Sequence, residues 1–103
     1  MYTQFIKEVI IMDLKEEYKI IQTKINELID LNKPIEKKLY LRQIEILEQL
    51  DKKLEKNSPE NILDFFTRYR YNLQLKYVAE KLNLPIEKYD ENLKILTLKI
   101  DGE

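Results

Sequence analysis

Arg68-Tyr69-Arg70-Tyr71, followed by Lys76, Tyr77 and Lys81, interleaves cations with aromatic rings, and Glu80 is the one acid within that run. Guanidinium and ammonium groups hold phosphates, and phenol rings offer faces on which bases stack, so the chemistry on offer is nucleic-acid binding. The same residues have a plainer reading, in which Tyr69 and Tyr77 face a helical core and the charges solvate the outside. Further along, Glu87, Lys88, Asp90, Glu91, Asn92 and Lys94 would stand on the leading turns of a second helix. Lys88, Asn92 and Lys94 are of the types that reach base edges, whereas the three acids are repelled by a phosphate backbone.

Reaction chemistry is scarce. The chain has no histidine and no cysteine, and its one serine, Ser58, stands at a helix start. An activated hydroxyl or thiol therefore lacks partners, and imidazole and thiolate metal sites are unavailable. With a single glycine, Gly102, no phosphate-cradling loop forms. Asp and Glu remain as possible acid–base or magnesium groups, but carboxylates on helix surfaces are ordinary solvated residues. The reading is of a non-enzyme with no catalytic residue, no cofactor and no metal.

The elements that must position these groups are helices. One glycine and three prolines in 103 residues, with 36% charged and 44% hydrophobic residues, leave too few turns for a sheet protein. The expected class is all-α: an N-terminal antiparallel helical hairpin followed by a three-helix, helix-turn-helix-like unit. No apolar run approaches a membrane span, and the absence of cysteine suits the cytoplasm. The net charge of −1 gives no global attraction to nucleic acid, so such binding must rest on a local patch.

In chain order, residues 1–11 precede Met12 and the helix-cap type Asp13. They read either as an extension upstream of a natural start at Met12, Lys7-Glu8-Val9 being codable as a ribosome-binding sequence, or as one more apolar helical stripe. Leu14, Tyr18, Ile21, Ile25 and Leu28 recur at spacings of four and three and predict a helix from Asp13 to Leu31. Pro34 predicts a tight connection and a second helix over residues 35–56, with Tyr40, Ile44, Leu47, Leu50 and Leu54 inward. Residues 12–56 thus form the hairpin. Leu39, Ile46 and Leu50 spread round the second helix, and this surplus apolar surface predicts a homodimer or partner interface.

Residues 57–103 form the second unit. Ser58, Pro59 and Glu60 read as cap, first position and dipole partner of a third helix to Tyr71, with Ile62, Leu63, Phe65, Phe66 and Tyr69 inward. Leu73–Leu82 and a helix from Ile86 form the helix-turn-helix, with small Ala79 at the crossing and Asn83 in the left-handed turn. Past Leu96 both helix and strand fit, and no internal repeat stands out.

The stretch FFTRYRYNLQLKYVAEKLNLPIEKYDENLKIL resembles the region-4 helix-turn-helix of bacterial sigma factors, with Arg68-Tyr69, Leu75, Val78-Ala79, Leu82 and Leu84 at matching positions. A helical hairpin ahead of such a unit is similar in organisation to ArpU-like phage transcriptional regulators. The departures are Asn83 in place of Gly, Pro85 in place of a capping Ser or Thr, and the acidic second helix. The resemblance implies a phage-type transcription regulator that binds duplex DNA, RNA polymerase or both. Phosphate contacts then fall to Arg68, Arg70, Lys76 and Lys81, and base contacts to Lys88, Asn92 and Lys94. The alternative is a non-enzymatic, anti-CRISPR-like phage inhibitor of a host or defence complex that docks through acidic helical surfaces.

Overall fold

The computed structural model describes residues 2–57 and 61–102, with side chains from residue 14 onward. The protein is all-α. Four helices, α1 (Tyr2–Asp30), α2 (Lys37–Asn57), α3 (Ile62–Lys81) and α4 (Glu87–Ile100), occupy the described residues, and there is no strand among them. The chain divides into two compact units, Met1–Ile46 and Leu47–Glu103, with the division falling inside α2. Helix α1 runs through residues 2–12 without interruption, so Asp13 lies within it and is not its cap.

The ends of α1 and α3 are built alike. Asn32 and Asn83 adopt φ of 56° and 57°, the left-handed region that Asn tolerates better than most residues. At the first, the Lys33 amide donates to the Leu28 carbonyl at 2.8 Å and the Asn32 amide to Ile29 at 3.0 Å. At the second, the Leu84 amide donates to Ala79 at 2.9 Å and the Asn83 amide to Glu80 at 3.1 Å. Both are Schellman caps, which satisfy carbonyls that a helix end leaves without partners. The flanking sequences are Leu31-Asn32-Lys33-Pro34-Ile35-Glu36-Lys37 and Leu82-Asn83-Leu84-Pro85-Ile86-Glu87-Lys88, identical except at the third position. The chain therefore does repeat a seven-residue turn, contrary to the expectation of no repeat. In each copy the proline follows the left-handed Asn by two residues and bars the helix from continuing.

Between Tyr71 and Leu73 the expected break is absent, because α3 is one 20-residue helix. Nothing in Ile62–Lys81 breaks a helix, and the Asn72 amide group donates back to the Arg68 carbonyl at 2.9 Å within it. The cap of α3 is Asn61, whose Oδ1 accepts from the Leu63 and Asp64 amides at 2.9 and 3.2 Å. The expected cap residues Ser58, Pro59 and Glu60 lie outside the described residues. Past Leu96 the chain stays helical to Ile100, and Gly102 at φ 82° follows its end.

In Met1–Ile46, Ile21, Ile25, Gln43 and Ile46 are buried. Buried Gln43 is satisfied by Gln22, to whose Oε1 it donates at 2.9 Å. Arg42 forks onto Glu17 at 2.6 and 2.8 Å and holds that carboxyl below its ordinary value, although both side chains are more than a third exposed. Such a pair adds little to stability. In Leu47–Glu103 the interior consists of Leu47, Leu50, Phe65, Leu75, Val78, Ala79, Tyr89 and Leu96 around three polar residues, Asp51, Arg68 and Asn72. Ala79 is 1% exposed, so a larger side chain there would overpack the crossing of α3 and α4.

Two expectations about apolar surface are corrected. Ile46 and Leu50, expected at an interface between copies, are 0% and 7% exposed within the single chain, while Leu39 is half-buried. They flank Gln43 on the one broad buried face of α2 and leave no second stripe. On α3, Ile62, Leu63 and Phe66, expected inward, are exposed, and of that group only Phe65 is buried.

Candidate functional site

Arg68, expected to hold phosphate, is 6% exposed. It sits on α3 where a helical stagger of three to four residues puts it on one face with Phe65, Asn72 and Leu75. Its Nε donates to Asp51 Oδ1 at 2.9 Å and its Nη2 to Glu55 Oε2 at 3.0 Å, both carboxylates standing one turn apart on α2. Asn72, one turn further along α3, donates to the same Asp51 oxygen at 3.0 Å, and its own Oδ1 accepts from Asn92 of α4 at 3.0 Å. The chain Glu55–Arg68–Asp51–Asn72–Asn92 thus ties the second half of α2 to α3 and α4. Every buried side-chain nitrogen and oxygen among the described residues has a hydrogen-bond partner. A fully satisfied network of this kind fixes the register of three helices.

The other expected contact residues divide in the same way. Lys76 of α3 pairs with Asp90 of α4 at 2.8 Å. Lys88 pairs with Glu48 of α2 at 2.9 Å, its ammonium 5.1 Å from the Tyr89 ring. Lys81 lies over the Tyr77 ring at 4.7 Å. Arg70 and Lys94 are exposed. Thus the seven residues expected to bind nucleic acid do not converge on one surface. Arg68 and Asn92 serve the interior, Lys76 and Lys88 bridge helices, and acids already occupy the partners' places.

Glu48 and Tyr89 form a second connection between α2 and α4, with the phenol donating to Glu48 Oε1 at 2.6 Å. Burial pushes the Glu48 carboxyl up, but the Tyr89 hydroxyl and the Lys88 ammonium outweigh it and hold the group below its ordinary value. Burial, then the Glu48 hydrogen bond, pushes the Tyr89 phenol well above its ordinary value. A depressed carboxyl contributes stability present above its unfolded pKa of about 4.3 and lost as pH falls through the lower folded value. A raised phenol contributes stability present below about 10 and lost as pH rises through the higher folded value. Urea unfolding followed across pH is therefore expected to show both losses, and Tyr89→Phe should flatten both. Superimposable profiles for the two proteins would show that this hydrogen bond has no such linkage.

Two shallow clefts of about 110 Å³ flank the network, one beside Glu48, Lys52 and Lys88 and the other beside Glu55, Arg68 and Lys99. Their volume suits a few water molecules, and Glu48, Glu55, Arg68 and Lys88 in their walls are already engaged in ion pairs. Among the described residues no three His, Cys, Asp or Glu side chains gather as metal ligands, and no helix is long and apolar enough to cross a membrane. No family model, curated protein or solved structure matches the chain.

The feature that sequence reasoning missed is on the far side of α3. Ile62, Leu63, Phe66, Leu73 and Tyr77 are 52%, 72%, 50%, 50% and 62% exposed. At 100° per residue Ile62, Phe66, Leu73 and Tyr77 fall within roughly 60° of one another, with Arg70 beside them. The sequence did carry the signal: the apolar residues of α3 are spread right round the helix, more than one buried face uses. Large apolar side chains are also exposed elsewhere, at Ile20, Ile29 and Leu31 of the first unit and at Ile95 and Leu98 of α4, but on α3 they line up along one face.

Proposed function

We propose that the chain is a non-enzymatic protein-binding module whose docking face is the outer side of α3. The observation that carries this reading is the stripe Ile62–Phe66–Leu73–Tyr77, large apolar side chains at helical spacing turned away from the buried residues of the same helix. The engagement of Arg68, Lys76, Lys88 and Asn92 in contacts within the fold weighs against duplex-DNA reading. Acidic Glu87 and Glu91, exposed on α4, weigh against it too. Of the partners implied by the likeness to sigma region 4, a protein surface such as that of RNA polymerase fits this face better than DNA does. The inhibitor of a host complex is the same reading with a different target.

A salt series with mixed-sequence duplex DNA tests it. Affinity is expected to be weak, at most in the range of about 10⁻⁴ M at physiological salt, with a shallow salt slope, because the exposed lysines are offset by acids, for a net charge of −1. Tight binding that weakens steeply with salt would overturn the reading in favour of a DNA-binding regulator.

A further inference from the structure

Among five large apolar side chains the outer face of α3 carries Arg70 near its middle, with Glu80 and Lys81 at its end. The positions three and four residues away on the helix are Phe66, Thr67, Leu73 and Gln74, so no carboxylate on α3 can reach back to it. Arg70 is exposed, no carboxylate among the described residues forms an ion pair with it, and its charge acts on the adjacent Tyr71 phenol. A partner covering the apolar stripe must cover this guanidinium as well, and burying a cation without a counter-charge costs more than the surrounding contacts return.

Resting on the protein-binding reading, we propose that the occupant is an amphipathic helix of another protein that sets an Asp or Glu against Arg70. The length and spacing of the stripe match a helix laid along it, whose own apolar residues recur at three and four. A carboxylate opposite Arg70 forms the forked pair that guanidinium geometry favours and fixes the register of the two helices.

The alternatives fit less well. A second copy of the chain packed face to face about a two-fold axis through the middle of the stripe brings Arg70 against Arg70, and the exposed acid on this face, Glu80, lies at its far end. The exposed area of five such side chains, on the order of 600 Å², also falls below the ~800 Å² per partner of a stable complex. That suits one docked helix better than an obligate dimer. Single-stranded nucleic acid could stack on Phe66 and Tyr77, but it would leave Ile62, Leu63 and Leu73 against phosphates.

The test is selection of a random peptide library on the full-length protein, with Leu73→Asp as the counter-target. Recovered peptides are expected to carry apolar residues at helical spacing around an Asp or Glu. A synthetic copy should bind at least roughly tenfold more weakly to Arg70→Glu, and replacing its acid with Lys should restore binding to that variant. If Leu73→Asp misfolds by circular dichroism, Phe66→Ser replaces it. Peptides that need the stripe but lack an acid, or that bind Arg70→Glu equally, would overturn the acidic-helix inference and leave the protein-binding reading standing. A dimer in sedimentation that Leu73→Asp dissolves would make the second copy the occupant and also overturn it. Failure to recover any peptide that distinguishes the wild type from Leu73→Asp, together with binding of oligothymidine, would overturn both.

Discussion

Arg68→Met is expected to lower stability by roughly 3–5 kcal/mol, the range seen when one partner of a buried ion pair is removed and the other is left without its counter-charge. The Arg68 and Asp51 side chains are 8% and 11% exposed, so Asp51 would lose its cation in a largely dry site. Asn72 would still donate to it, which does not compensate for a full charge. Glu55, at 65% exposed, would return to water at little cost. Urea unfolding of the single variant, and of Arg68→Met combined with Asp51→Leu, checks the argument. The double variant is expected to recover most of the loss, because no unpaired charge remains. A single variant within about 0.5 kcal/mol of wild type, the range of ordinary surface changes, would return Arg68 to the surface chemistry that its neighbours Tyr69 and Arg70 first suggested.

That residue also marks where sequence reasoning stops. Helical periodicity located the buried stripe of α1 and part of that of α2, because apolar spacing and burial have the same cause, but it set Ile46, 0% exposed, on the outside. The turn at Asn83 was legible because left-handed backbone restricts which residues fit there, and the same argument applies at Asn32. A buried arginine, by contrast, has no local signature. Arg68 and Arg70 stand two positions apart in one aromatic run, and only the placement of Asp51, seventeen residues earlier on another helix, sends one inside and leaves the other in water. The break expected between Tyr71 and Leu73 is absent for a similar reason: the Asn72 side chain is held by Arg68, Asp51 and Asn92 within one helix, and the sequence does not show those partners. The stripe on α3 was misread for the opposite reason: when apolar residues lie on both sides of a helix, periodicity does not say which side is buried.

Ile46→Glu with Leu50→Lys is expected to unfold the protein and not to yield a folded monomer. The two residues are 0% and 7% exposed within one chain, so the introduced charges would enter an interior that offers them no partners. An unpaired charge in such a site costs several kcal/mol, and a domain of this size has only about 5–15 kcal/mol in total. Being one helical turn apart, the new Glu and Lys would face each other. Their attraction does not offset the loss of water around both and of the apolar contacts they replace. Leu41, 39% exposed elsewhere on the same helix, supplies the contrast: Leu41→Lys should change stability by no more than about 0.5 kcal/mol. Circular dichroism melts and sedimentation of both variants decide. A double variant that keeps its helical content and cooperative melt while sedimenting as a monomer, beside a dimeric wild type, would put Ile46 and Leu50 at an interface between copies. A loss of the melt, with Leu41→Lys unaffected, would establish that this face of α2 is interior to the chain and takes no part in an interface between copies.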